Sequence, residues 1–246
     1  MLVMFPLTEV LKLLADKPDP MNRHCETWKI EVNLHTEIIV TAIKAIPRAC
    51  IYPVWTNLVV MLYCLLCQDI CRRLKNLINE VENCSFKEFT VPKQADILKR
   101  KSKIVDFVNF VQIVFSTPSF LISVAHFYAC ITVLGFFFVN NDIELSYAST
   151  FAIMLYSANS MGGLTACLWL AGGIPAAADE LEKTFRRKVR QRQFFVKNAG
   201  ENCLYKDLTE KSEFVLSGCD ILHFHRSSIL ALIGTILTYT IFLRSR

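Results

Sequence analysis

Cys64, Cys67 and Cys71 are the residues most capable of chemistry at first sight, and their spacing sets them on one side of one helix. Zinc or iron–sulfur binding needs thiolates that converge from several parts of a chain. No second Cys/His cluster stands beside these three, so they read as small apolar filler. Cys71, at the end of an apolar run, is a candidate for acylation. Cys219-Asp220 with His223 and His225 also carries zinc donors. Two histidines two residues apart point to different faces of a helix, and the stretch reads better as a polar turn leading into a membrane. His126 and Asn159 lie inside apolar runs. Two readings stay open for them. One is an interhelical hydrogen bond; the other is a ligand pocket lined by Phe120, Phe127, Tyr128, Tyr156 and Trp169. No Gly-x-Ser-x-Gly, His-Glu-x-x-His or Walker loop occurs, and no pair of carboxylates sits within an apolar run. An enzyme is not expected, and no cofactor or metal is called for.

The elements that must position these groups follow from the distribution of apolar residues. The 246 residues are 53% hydrophobic and 20% charged, against roughly 45–50% and 25% in soluble domains. The excess is gathered into four blocks, 49–70, 111–139, 148–178 and 227–243, and the third holds no charge. Each is long enough to cross a hydrocarbon core of about 30 Å. The expected fold is all-α, a polytopic transmembrane helical bundle over 49–246. Residues 1–48 offer no clear span. Leu7, Val10, Leu11 and Leu14 suit an amphipathic helix, and Glu9 and Lys12 inside that run argue against a cleavable signal peptide. Of ten cysteines, Cys50, Cys64, Cys67, Cys130 and Cys167 fall in apolar blocks, unlike a secreted disulfide framework.

The formal charge of +5 does not point to nucleic acid, because most of its Lys and Arg fall in two long connections, 71–110 and 179–226. The short connection 140–147 has Asp142 and Glu144 and no base. The positive-inside rule puts the basic connections in the cytoplasm and the C-terminus outside. Asn83-Cys84-Ser85 then faces the cytoplasm and is expected to stay unglycosylated. Both basic connections are expected to be helical where they leave the membrane. Leu74, Leu77, Ile78 and Val81 extend the first block, and Leu181, Phe185 and Val189 extend the third, each down one face. Gly162-Gly163 and Gly172-Gly173-Ile174-Pro175 predict either close helix packing or a kink.

The chain stops just after the last block, so that helix is expected to carry function rather than to anchor a further domain. Ser228, Thr235, Thr238 and Ser245 form a faintly polar stripe on it. Two readings apply again. The hydroxyls bond back to their own helix, or several copies surround an axis and line a narrow path closed by Phe242.

Thr238-Tyr239-Thr240-Ile241-Phe242-Leu243, with Gly234 four residues before the threonine, resembles the signature that closes the seventh helix of arthropod gustatory receptors. Residues 218–230, Gly-Cys-Asp-Ile-Leu-His-Phe-His-Arg-Ser-Ser-Ile-Leu, are similar to that family's approach to its last helix. Asp106-Phe107-Val108-Asn109-Phe110 and Phe115-Ser116-Thr117-Pro118 resemble its fifth. The resemblance covers about 49–246, and the four blocks would correspond to helices four to seven. It implies a taste receptor subunit of the plasma membrane with an extracellular C-terminus. It implies a ligand-gated cation channel assembled as a homo- or hetero-tetramer, opened by a small-molecule tastant and surrounded by lipid. The pore and gate would use Thr235, Thr238, Phe242 and Ser245, with Gly234, Thr238 and Tyr239 as signature. Ser245 stands where the family usually has a pore-facing Gln, and Arg246 where an aromatic follows. Among the pocket residues, His126, Phe127, Tyr156 and Asn159 are the candidates for holding the tastant. The competing classes are a G-protein-coupled receptor, which needs a cytoplasmic C-terminus, and a small transporter, which needs paired intramembrane charges.

Overall fold

The computed structural model describes residue 43 and residues 54–139, 147–195, 216–219, 222–224 and 226–244. Among these residues run α1 (Thr56–Asn83), α2 (Val91–Val139), α3 (Tyr147–Ala171), α4 (Gly173–Phe195), a ladder of β1 (Ser217–Gly218) and β2 (Leu222–His223), and α5 (Arg226–Arg244). The fold is helical, as the apolar blocks predict. Two helical stretches, Val91–Val133 and Ile153–Phe194, are long and apolar enough to cross a bilayer.

That is two of the four expected spans, and for α1 composition explains the difference. The apolar part of α1 runs only from Thr56 to Cys67 before Gln68, Asp69, Arg72 and Arg73, and 49–53 lie outside the described residues. In α5 the apolar helix over Ser227–Tyr239 is shorter than a bilayer needs, and Thr240-Ile241-Phe242-Leu243 continue it without charge. The two long stretches hold much open apolar surface. Only 28% of the apolar window in Val91–Val133 is buried, and Ile113 and Tyr128 are 80% and 71% exposed. Apolar surface of this extent meets lipid or protein.

At about 1.5 Å per residue, the 49 residues of α2 reach roughly 70 Å, far more than a hydrocarbon core. Its charged first part, with Lys93, Lys99, Arg100, Lys101 and Lys103, is therefore an extension of the apolar remainder. α2 continues through Pro118, and the Ser119 hydroxyl donates to the Ser116 carbonyl at 3.1 Å.

The chain divides into two compact units. One comprises Met1–Met61, Val124–Leu164 and Gly234–Arg246; the other comprises Leu62–Ser123 and Thr165–Ile233. In the second unit, α1 and α2 form an antiparallel hairpin. Its turn is fixed by the Glu88 and Phe89 N–H groups, both 3.0 Å from the Ser85 carbonyl. The Gln94 side chain donates to the Phe89 carbonyl at 3.0 Å, and Pro92 occupies the first turn of α2, where no N–H is required. Glu80 receives Lys93 at 2.5 Å and Arg100 Nη2 at 2.7 Å, and Asp96 meets the same Nη2 at 3.0 Å. Further along, Tyr63 and Phe115 rings stand 5.6 Å apart.

The stripes expected to continue the apolar blocks are buried. Leu74, Leu77, Ile78 and Val81 on α1 and Leu181, Phe185 and Val189 on α4 are all core residues. Burying each such side chain stabilises the fold by about 1.5–3 kcal/mol relative to exposure. Phe185 meets Phe89 edge-on at 5.2 Å. Arg187 pairs with Glu82 at 3.0 Å, and Lys188 donates to the Glu82 carbonyl at 3.0 Å. Cys71 Sγ lies 4.0 Å from the Leu170 carbonyl. The sequence separations of these contacts, 99 at Cys71 and 105 at Glu82, stay nearly constant, so α1 runs parallel to α3 and α4 there. The expected weakness at Gly172-Gly173 takes the form of a break. Gly172 still donates to the Leu168 carbonyl at 3.0 Å, but it is a turn residue, and α4 restarts at Gly173.

The ladder departs from a purely helical expectation. Its strands pair antiparallel, Ser217 with His223 and Gly218 with Leu222. Cys219 takes φ 52°, a left-handed conformation that a tight reversal needs. The stretch taken as a polar turn into the last helix is thus a short hairpin.

Candidate functional site

His126 is 2% exposed on α2, inside an apolar run, and neither ring nitrogen has a hydrogen-bond partner among the described residues. It belongs to the first unit, where it packs on Gly163 of α3. A Cβ at position 163 would stand 2.9 Å from His126 Nε2 and 3.0 Å from Cδ2, so only glycine admits the ring at this distance. Val60 of α1 borders the same spot. Gly162 has open space where its Cβ would be. Close packing therefore accounts for one member of this glycine pair.

Asn159, four residues before Gly163 on α3, is engaged by Asn57 of α1. The two amides donate to each other, at 2.9 Å from Asn57 and 3.2 Å from Asn159. This is the interhelical hydrogen bond, one of the two readings open for Asn159. A reciprocal amide pair satisfies both side chains and ties two apolar helices together. Asn57 was not singled out in the sequence, although it is an amide inside the first apolar block as Asn159 is inside the third.

Phe127 and Tyr156 are half-buried in the first unit, as Asn159 is. Tyr128 faces outward, and Phe120 and Trp169 belong to the second unit. The candidates His126, Phe127, Tyr156 and Asn159 are thus members of one unit, with Asn159 already paired and His126 not.

On α5, Ile236 is buried while Leu230, Ile233, Leu237 and Ile241 are exposed. Thr235, Thr238, Tyr239 and Phe242 are exposed as well. The Thr238 hydroxyl donates to the Gly234 carbonyl at 2.9 Å, the back-bonding that threonine commonly makes in a helix. Gly234 has open space at its Cβ position. Ser245 lies outside the described residues.

Two further polar residues emerge only from the structure. Gln112 of α2 donates to the Ser217 carbonyl at 2.8 Å and to its hydroxyl at 2.7 Å, and accepts from the Ser217 N–H at 3.0 Å. The Ser116 hydroxyl accepts from the Cys219 N–H at 2.8 Å. Backbone groups of the hairpin that the ladder leaves over are thereby satisfied by α2. Phe224, fully buried, packs near Tyr63 with ring centres 6.2 Å apart.

Among the described residues, no three His, Cys, Asp or Glu side chains gather as a metal site. Cys67 is buried, Cys64 and Cys71 are half-buried, and none of the three is in a disulfide. No family model matches the chain, and no curated protein matches it significantly.

Proposed function

We propose that this chain is a chemosensory receptor subunit of the gustatory-receptor kind, a ligand-gated cation channel whose pore is lined by α5 of several copies. The observation that carries this reading is the surface of α5. At about 100° per residue, Ile236 marks a face turned to the protein. Leu230, Ile233, Leu237 and Ile241 make a second, wholly apolar face, suited to lipid. Thr235, Thr238 and Phe242 make a third, also exposed. Back-bonded threonines and a phenylalanine are tolerated by lipid, and the same stripe is a suitable lining for a narrow path. One helix encloses nothing, so the third face requires further copies. The back-bonded Thr238 hydroxyl does not oppose this role, because a hydroxyl oxygen that donates inward keeps acceptor capacity outward.

In this reading Phe242 is the hydrophobic constriction that closes the path by excluding water. The basic extensions of α1, α2 and α4 lie in the cytoplasm and the C-terminus outside, as the charge distribution requires. A small tastant engages the unit that holds His126, Phe127, Tyr156 and Asn159, and favours opening by binding the open state more tightly than the closed one. The unpaired His126 nitrogens are the groups there that can take a new hydrogen bond.

The test is electrical. Cells carrying the chain at the surface, alone or with other receptor subunits, should show cation current on exposure to a tastant panel. Phe242→Ala should raise the current that flows without ligand severalfold. Surface-delivered protein with no conductance, or a Phe242→Ala variant with unchanged leak, argues against the assignment.

A further inference from the structure

A groove of about 710 Å³ runs along α1 in the second unit, against the junction of α3 and α4. The residues that α1 contributes form a graded stripe. Leu65 comes first, then Gln68, then Arg72 and Lys75, then Asn76 and Asn79. Spacings of three, four, three and four residues keep these side chains on one helix face. The opposite wall supplies Trp169 at the Leu65 end, and both of these apolar side chains are 53% exposed. The Cys71–Leu170 approach sets the first charged residues of α1 beside the end of α3, nine residues before Asp179, the first charge of α4.

The charge in the groove is unbalanced. Asp69 is its acid, and Arg73 occupies that carboxylate at 2.7 Å. No ion pair is made by Arg72 or Lys75 among the described residues. The groove thus has an apolar end, two cations about 10–15 Å further along at 1.5 Å per residue, and amides beyond them. An inorganic phosphate would use the cations and leave Leu65 and Trp169 idle. A phospholipid uses all three parts in this order. We propose that the groove binds an anionic phospholipid, its phosphate between Arg72 and Lys75, its head group toward Asn76 and Asn79, and an acyl chain against Leu65 and Trp169. Basic residues that follow an apolar helical run, with an exposed tryptophan beside them, are the combination that such head groups and their acyl chains prefer. The site rests on the reading of the chain as a membrane protein.

The full chain, purified in detergent, is titrated with short-chain phosphatidylserine, short-chain phosphatidylcholine and glycerophosphoserine, with bound lipid counted by native mass spectrometry. Phosphatidylserine should bind more tightly than the other two. The double variant Arg72→Gln, Lys75→Gln should weaken it on the order of tenfold. Trp169→Ala should weaken the lipid without affecting the head group. Arg190→Gln, an exposed base of α4 outside the groove, should change nothing, and thermal melting checks that each variant is folded. Equal affinity for phosphatidylcholine, equal affinity for glycerophosphoserine, or an equal loss in Arg190→Gln overturns the proposal. Alkaline carbonate extraction of the expressing membranes separates the two claims. A chain released into the supernatant removes the membrane reading itself, whereas a retained chain whose double variant binds normally removes only the groove.

Discussion

His126 and Gly163 show how a single absent methyl group permits a contact between two apolar helices. The ring occupies the space that a Cβ would take, within 3.0 Å. Gly163→Ala should therefore lower the melting temperature of the detergent-solubilised chain, by an overpacking cost of about 1–3 kcal/mol. His126→Ala in the same background should recover much of that loss, because the clash and the ring disappear together. If the alanine at 163 is neutral, or the double variant is no better than the single, the contact is wrongly drawn. Polar residues in apolar runs were legible at this scale, and His126 and Asn159 stood out for that reason. Their partners did not. Gly163 was legible as a point of close packing or a kink but not as the partner of His126, and Asn57 lies 102 positions from Asn159, a distance no periodicity spans. The rule that picked Asn159 would have found Asn57 and Gln112 had it been applied to every amide in the apolar blocks.

At the scale of elements, the helices were legible and their junctions were not. The buried stripes of α1 and α4 follow from spacing, whereas the glycines at 172–173 promised only close packing or a kink and not where one helix ends and the next begins. The β1–β2 hairpin escaped because its strands are two residues each, too short to show alternation, and because the group that stabilises it is on α2. Gln112 makes three hydrogen bonds to Ser217, and each is worth about 0.5–1.5 kcal/mol net. Gln112→Leu should destabilise the chain by about 2–4 kcal/mol, read as a fall in melting temperature, and should expose Cys219 to thiol reagents. Unchanged labelling of Cys219 would show that the hairpin does not depend on this amide. The α1–α2 hairpin carries a pH dependence of its own. Hydrogen bonds from Arg100 and then Lys93 hold the Glu80 carboxyl down to about 2, against 4.5 when free. A lowered acid contributes stability above its free pKa and loses it as the pH falls through the folded value. The contribution of Glu80 is therefore complete at neutral pH and fades between about pH 4.5 and 2. Melting curves across that window should fall less steeply for Glu80→Gln than for the native chain, and parallel curves would contradict the clamp.

At the scale of the whole molecule, the account depends on surfaces that one chain leaves open. Val91–Val133 has most of its apolar window exposed, and α5 shows two exposed faces of different chemistry. Apolar surface of the first kind meets lipid or protein; in the proposed channel the threonine-bearing face of α5 meets further copies. Composition and charge made the helical class and the basic connections readable, since block length and Lys/Arg placement are properties of the chain alone. Assembly is a property of surfaces, and the sequence hinted at it only through Thr235, Thr238 and Phe242. The most direct measurement is the mass of the unmodified chain in lipid discs large enough to hold several copies. The account predicts particles with four chains of 28.1 kDa each, lost when Thr235 and Thr238 are both replaced by Leu. Discs that hold one chain apiece at every protein-to-lipid ratio would contradict it.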